Sequence, residues 1–116
     1  LAVEMIERNY WESDFDVDML AHQLHISRRQ LYRLFEESGE RPAAVIADRR
    51  VSEAERLMRE NPGLPVAAVG KMAGFASEAA FRSRFADRLG MSPAGFRRSL
   101  LDGPSLEVVP DSSESA

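Results

Sequence analysis

The chain has 116 residues, which is the usual size of one domain and is enough to bury a hydrophobic core. It contains no cysteine and no apolar run near the roughly 20 residues of a membrane span, so disulfide bonds, cysteine-zinc sites and a membrane partner are excluded and a cytoplasmic protein is expected. The formal net charge is −4, but residues 25–100 carry thirteen arginines and Lys71 against nine acids, a net charge of +5 that permits a nucleic-acid partner.

The spacing of apolar residues predicts an all-α protein of about seven helices, because apolar side chains recur three and four positions apart and no stretch alternates with period two. The first helix is predicted over about 2–11. The side chains expected on its buried face and in the core are Val3, Ile6, Tyr10 and Trp11. Asp16 is the predicted N-cap of a short second helix over about 17–24.

Ser27 heads the third predicted helix, and Gln30 follows at the spacing of a capping box, in which each side chain bonds the other residue's backbone N–H. Gly39 is expected to close this helix. Its inner stripe is predicted to comprise Leu31, Leu34 and Phe35.

Prolines and glycines mark the limits of four further helices. Their predicted ranges are about 42–60, 65–73, 77–89 and 93–101. Phe81 and Phe85 are expected to be buried on the sixth helix. The apolar period then ends among glycine, proline, serine and acidic residues, so 102–116 is predicted to be a disordered tail.

The segment 17–43 recurs as 66–94, and this internal repeat carries more information than any single motif in the chain. Each copy predicts a short helix, a turn and a longer capped helix. These are the parts of a helix-turn-helix, whose second helix lies in the major groove of DNA. Ala21 and Gly70 occupy the positions at which the two helices of a copy must approach closely.

The helix between the two copies sets the distance between them. Its 19 or so residues would be about 28 Å long, comparable to the roughly 34 Å between successive major grooves on one face of B-DNA. The sequence therefore predicts one domain over 1–101 with two helix-turn-helix units. The parts of this domain are a first unit at about 17–39, a linker helix at about 42–60, a second unit at about 65–90 and a closing helix at 93–101.

The outward, N-terminal half of the third helix carries the candidates for base reading. These are Arg28, Arg29, Tyr32 and Arg33. Arg29 and Arg33 lie one turn apart on one face, which suits contacts to guanine O6 and N7 in consecutive base pairs. Tyr32 would pack on a thymine methyl group or bond a phosphate. In an alternative that stays open, these residues form only a solvated basic face supported by Glu36 and Glu37.

The repeat carries the reading positions to Ala79, Arg82 and Ser83 on the sixth helix, where Arg82 is the best candidate base reader. Arg84 aligns with Leu34, which is predicted to be buried, so Arg84 is expected to reach round the helix edge to a phosphate or an acid.

The serines that begin the two reading helices, Ser27 and Ser77, are candidate phosphate contacts, because backbone N–H groups and the helix dipole attract anions there. Capping alone would also explain both serines.

Other chemistry has weaker support. His22 and His25 are spaced as metal ligands can be, but the carboxylates that would complete a site are not patterned, so no metal or cofactor is expected. No nucleophile elbow, phosphate loop or paired-carboxylate motif is present, so no enzyme is expected. Arg50 is interpreted as an organiser of ion pairs in the linker helix rather than a DNA contact. The nearby carboxylates are Asp48, Glu53 and Glu55.

A set of residues that includes glycines, serines, phenylalanines and prolines occupies a characteristic spacing within residues 17–98. Its members are Leu20, Ala21, Leu24, Ser27, Arg29, Leu31, Arg33, Phe35, Gly39 and Pro42, then Arg50, Ala54 and Leu57, then Gly74, Phe75, Ser77, Phe81, Phe85, Gly90, Pro93, Phe96 and Arg97. This set closely resembles the DNA-binding domain of the AraC/XylS family of bacterial transcription regulators.

The chain departs from the family pattern in two places. His25 stands in the turn where the family usually has glycine, so this residue must tolerate a left-handed conformation or the turn must differ. In the second unit, Ala79 and Ala80 replace a more polar pair, and Ser83 stands where arginine is common.

The resemblance implies sequence-specific binding of double-stranded DNA, with contact to RNA polymerase and an effector-sensing or dimerisation domain preceding Leu1. A function of another class remains as an alternative, in which the chain is a helical protein-interaction module that uses its acidic first helix and tail. Charge location discriminates between them, because an interaction module has no need of arginines on corresponding faces of a repeat.

Overall fold

The computed structural model describes residues 1–101, so the predicted disordered tail at 102–116 lies outside the described residues. The described part contains seven α-helices and no strand, which confirms the predicted fold class. The helices are α1 (Ala2–Asn9), α2 (Val17–Gln23), α3 (Arg28–Glu36), α4 (Pro42–Glu60), α5 (Val66–Ala73), α6 (Glu78–Leu89) and α7 (93–101).

Three helix starts are fixed by the side chains that the sequence predicted. Asp16 accepts the backbone N–H of Met19 at 2.9 Å. Ser27 Oγ accepts the backbone N–H of Gln30 at 3.0 Å, and Gln30 Oε1 accepts that of Ser27 at 2.8 Å, which completes the capping box. Ser77 Oγ accepts a backbone N–H three residues further on at 3.1 Å. Each cap satisfies backbone donors that a helix start leaves without a partner.

The turn between α2 and α3 contains a left-handed residue at His25, which is one of the two possibilities that the sequence left open. His25 has φ 60°, a left-handed value that non-glycine residues adopt rarely. The turn therefore keeps the geometry of a helix-turn-helix, with histidine in place of glycine.

The two units bury separate hydrophobic clusters. The first-unit core contains Ile6, Tyr10, Phe15, Val17, Leu20, Ala21, Leu31, Phe35 and Ile46. The second-unit core contains Val51, Ala54, Leu57, Met58, Val69, Ala73, Phe75, Phe81, Phe85 and Phe96. Helix α4 contributes to both, with its N-terminal half in the first and its C-terminal half in the second. It is therefore the element that joins the two units.

The second-unit core is organised around a ladder of aromatic rings. Phe75, Phe81, Phe85 and Phe96 follow one another with centroid separations of 5.2, 5.5 and 5.4 Å. Gly70 makes room for this ladder, since a Cβ atom there would lie 2.6 Å from Phe81 Cδ2. The predicted close approach of the two helices at Gly70 is confirmed.

Three side chains assigned to the core are exposed, with fractions of 61% for Val3, 54% for Trp11 and 59% for Leu34. Helix α1 ends at Asn9, so Trp11 lies in the following turn and its indole N–H donates to the Arg8 carbonyl at 3.0 Å. The buried stripes are narrower than predicted. On α3, Leu31 and Phe35 face the core, while Leu34 lies on the flank.

None of the described helices combines the length and the apolar character that a membrane crossing requires.

Candidate nucleic-acid interface

Helix α3 presents a basic, solvent-exposed surface beside its capped N-terminus. Arg28, Arg29 and Arg33 are exposed, and Tyr32 is half-buried against the first-unit core. Leu31 and Phe35 hold the opposite face of the helix in that core. The predicted reading residues of the first unit therefore share one accessible surface.

The three arginines of this surface differ in how they are held. Arg28 Nη1 donates to Asp18 Oδ1 at 2.7 Å, and its guanidinium lies 5.6 Å from the centroid of the Tyr32 ring. The Asp18 carboxylate raises the pKa of Arg28 through this hydrogen bond. Within residues 1–101, no carboxylate lies within 4.0 Å of the Arg29 or Arg33 guanidinium.

The lack of carboxylate partners for Arg29 and Arg33 in the described part of the chain argues against the alternative in which Glu36 and Glu37 support a merely solvated basic face. Glu36 and Glu37 do not pair with Arg33, although both are within one helical turn. Among residues 1–101, the guanidinium groups of Arg29 and Arg33 are therefore exposed and not neutralised by a carboxylate.

Helix α6 presents the corresponding surface of the second unit. Ala79, Arg82 and Ser83 are exposed, while Phe81 and Phe85 anchor the opposite face. The start of this helix is capped by Ser77, as the start of α3 is by Ser27.

Arg84 is also exposed and lines a shallow depression with Asp48, Asp87 and Arg88. Its predicted placement relied on the burial of Leu34, its counterpart in the repeat, and that premise is wrong because Leu34 is exposed. The acids beside Arg84 lie on α4 and α6, at the edge of the reading helix.

Glu78 was not recognised as a site residue from the sequence. It is the first residue of α6, at the position that Arg28 occupies in α3, and its Oε1 lies 3.6 Å from Arg82 Nη1. The 50-residue offset that relates Ser27 to Ser77 also relates Arg28 to Glu78, so the repeat contained this signal. The two reading surfaces consequently differ in charge at the same position.

Arg50 does not form the predicted ion pairs. Its guanidinium donates instead to three backbone carbonyls, with Nε 2.7 Å from Tyr10 O and Nη2 3.0 Å from Glu12 O and 2.8 Å from Phe15 O. Burial lowers the pKa of Arg50 from its ordinary value. The three carboxylates expected near it bind other arginines, which are Arg88 for Asp48, Arg49 and Arg56 for Glu53, and Arg59 for Glu55.

Sequence comparisons identify the type of domain. The family model described as "Helix-turn-helix domain" matches residues 20–99. The Msm operon regulatory protein of Streptococcus mutans is 30% identical over 99 residues, which are 84% of this chain and 35% of that protein. The RCS-specific HTH-type transcriptional activator RclR of Escherichia coli is 33% identical over 82 residues, which are 70% of this chain and 28% of that protein. The chain thus spans about a third of the length of the curated relatives that it matches.

Solved structures share the arrangement of helices. The DNA-binding domain of AdpA, a global transcriptional factor crystallised with a target DNA, is similar with a TM-score of 0.77 and 31% identity, covering 91% of this chain and 94% of that chain. The C-terminal domain of AraT, a response regulator from Geobacillus stearothermophilus, has a TM-score of 0.77 at 24% identity, covering 84% of this chain and 81% of that chain. The second likeness is one of fold.

Proposed function

Since this chain belongs to the AraC/XylS family of helix-turn-helix regulators, we propose that it binds double-stranded DNA with α3 and α6 in adjacent major grooves. Its family and fold are those of DNA-binding transcription regulators. In this role the chain would be a sequence-reading domain without catalytic activity or a cofactor of its own.

The observation that carries this proposal is the pairing of two complete helix-turn-helix units through one unbroken helix. Helix α4 has 19 residues, which corresponds to a length of about 28 Å. This length is comparable to the roughly 34 Å between successive major grooves. Each unit has its own core, so each reading helix is supported independently while α4 sets their separation.

In the first unit, Arg29 and Arg33 would read bases, because their guanidinium groups are exposed and have no carboxylate partner within the described residues. A planar fork of donors matches guanine O6 and N7 with two hydrogen bonds. Tyr32 would contact a thymine methyl group or a phosphate. Arg28 would also read bases beside Tyr32, and its guanidinium is oriented by the hydrogen bond to Asp18.

In the second unit, Arg82 would be the principal reader, with Ala79 and Ser83 beside it. Alanine offers a base only an apolar contact, and the Arg82 guanidinium already lies 3.6 Å from a Glu78 carboxylate oxygen. The second half of the binding site would therefore be specified less strongly than the first.

Phosphate contacts would fix the register of the domain on DNA. Ser27 and Ser77 begin the two reading helices, where free backbone N–H groups and the helix dipole favour an anion. Arg84, exposed at the edge of α6, would contribute a third.

The family also suggests partners beyond DNA. A regulator of this kind would act in the cytoplasm, contact RNA polymerase, and respond through an effector or dimerisation domain preceding Leu1. About two thirds of the length of the curated relatives lies outside the part that this chain matches, so these partners are proposals.

A salt titration tests the proposal most directly. If about six phosphates are neutralised, the logarithm of the binding constant for a random duplex should fall against the logarithm of salt concentration with a slope near −5. A slope near zero would refute DNA binding and favour the alternative of a protein-interaction module.

Selection from a random duplex library tests the arrangement of the two units. One chain supplies both reading helices, so it should bind as a monomer to a non-palindromic site of roughly 20 base pairs with one half more strongly specified. Recovery of a palindrome with two equally strong halves would reject the tandem arrangement and favour an ordinary helix-turn-helix dimer.

A further inference from the structure

We propose that Arg50 and Gly74 clamp the loop 10–15 between the two units and so fix the spacing of the two reading helices. Arg50 is then a positioning residue for simultaneous reading of two grooves, and the inference rests on the DNA-binding function proposed above. Residues 10–15 form the clamp loop.

The clamp lies where the two cores meet. Along α4, Ile46 belongs to the first-unit core and Val51 to the second-unit core, and Arg50 lies between them. At this point the helix presents a half-buried guanidinium to the clamp loop. A polar contact thus marks the boundary between the two apolar clusters.

The side chain of Arg50 binds the backbone of the clamp loop. It donates to the carbonyls of Tyr10, Glu12 and Phe15, which span both ends and the middle of the loop. The rigid fork of a guanidinium can satisfy several diverging acceptors, which the single ammonium of lysine cannot do in the same geometry. Since Tyr10 and Phe15 are also buried in the first-unit core, the loop is fixed to the first unit and to α4 together.

Gly74 brings the second unit onto the same loop. A Cβ atom at Gly74 would lie 2.2 Å from Tyr10 O, 2.9 Å from Trp11 Cα and 3.0 Å from Arg50 Nε. Gly74 also has φ +106°, a conformation that L side chains rarely adopt, and it begins the turn that leads to α6. The turn of the second unit therefore packs directly on a segment that is anchored in the first.

The expected benefit is preorganisation. When two weak binding sites are joined, their joint affinity is greatest if the connection already holds them at the correct separation. A loosened clamp would leave each reading surface intact but would lower the benefit of binding both half-sites at once. It would also let the domain accept half-sites at other separations.

The test uses the full 116-residue chain and the duplex that wild type selects from a random library. Dissociation constants are measured for this duplex, for two duplexes in which one half is scrambled, and for duplexes with one or two base pairs inserted between the halves. The variants are Arg50→Met, which keeps the aliphatic stem, and Gly74→Ala, which crowds the clamp loop from the opposite side. Arg56→Met is the matched control, because Arg56 is another α4 arginine whose hydrogen bonds go to Glu53 and Glu60 instead.

We expect both clamp variants to lose about tenfold in affinity for the selected duplex, to stay within about twofold of wild type on the half-site duplexes, and to be less sensitive to inserted base pairs. In the Arg56→Met control, any change in affinity should be the same for all duplexes, and the sensitivity to inserted base pairs should remain that of wild type. A merely structural role for Arg50 would not alter the dependence on spacing.

Two results would overturn the inference. One is an equal loss on selected and half-site duplexes, and the other is unchanged binding and spacing dependence in variants that circular dichroism shows to be folded. If Arg50→Met does not fold, Arg50→Lys replaces it, with the same pattern expected at about threefold. Failure of wild type to bind any duplex would instead refute the proposed function.

Discussion

Replacing Gly70 with alanine should destabilise the protein, although alanine is the better helix former. The added Cβ would lie 2.6 Å from Phe81 Cδ2 and 3.0 Å from Phe81 Cγ. Phe81 is 0% exposed, and its ring packs against Phe75 at 5.2 Å and Phe85 at 5.5 Å. The Phe81 ring is fully buried, so relief of the contact requires this ring to shift against its aromatic neighbours or α5 and α6 to separate.

Two opposing terms set the size of the effect. Alanine gains about 1 kcal/mol over glycine in helix propensity. Overpacking a tight core costs about 1–3 kcal/mol, and the short contact with an enclosed ring places this case in the upper part of that range. The net loss in unfolding free energy should be about 1–2 kcal/mol. For a domain of this size, each 1 kcal/mol corresponds to a Tm change of about 4–8 °C.

Thermal and urea denaturation followed by circular dichroism would measure this loss. Gly63→Ala is the matched control, because nothing lies within 4 Å of a Cβ built at Gly63. Its stability should stay within about 0.5 kcal/mol of wild type. A Gly70→Ala protein as stable as wild type would refute the packing argument, since it would mean that Phe81 can be accommodated elsewhere.

Three other predictions concern the reading helix α3, the cap at its start and the carboxylate of Glu53 on α4. Arg33→Ala, and to a lesser degree Arg29→Ala, should cost about 1–3 kcal/mol on the selected duplex and flatten its base preference; equal losses on random DNA would identify both as phosphate anchors. Ser27→Ala removes the capping box and should lower the unfolding free energy by about 1 kcal/mol, which an unchanged denaturation midpoint would contradict. The Arg56 hydrogen bond lowers the pKa of Glu53, so this carboxylate stabilises the fold at neutral pH and the contribution is lost as pH falls through the lowered folded-state pKa. Glu53→Gln should therefore flatten the curve of unfolding free energy against pH, measured by urea denaturation, as pH falls below about 4.3, and an unchanged curve would exclude this role.

Local chemistry explains why the helix starts could be read from the sequence. A cap depends on one side chain and a backbone group three residues away, so Asp16, Ser27 and Ser77 carry the signal themselves. Burial depends on which neighbour covers a helix flank, which spacing alone does not specify. This is why Leu34 and Trp11 were assigned to the core although both are exposed.

The candidate site divides in the same way. The exposure of Arg29 and Arg33 follows from the helical period and from the repeat, and both were predicted. The partners of Arg50 are backbone carbonyls 35 to 40 residues away, and a carbonyl acceptor leaves no mark in the identity of its residue. The sequence therefore favours ion pairs between Arg50 and nearby acids. The carbonyl partners become evident only from the packing of the clamp loop against α4. The roles of the reading residues remain predictions.

The division of apolar side chains into two cores also governs how the molecule unfolds. Helix α4 has its first half packed in one core and its second half in the other. Loss of either core removes the tertiary support from half of α4, and an isolated helical segment of that length is marginal in water. Local opening of one unit should therefore free the half of α4 that packs on it, while the other half stays held by its own core, so amide exchange in each half should report the stability of its own unit. The helix that separates the two reading surfaces is in this way also the element in which the stabilities of the two units can be compared.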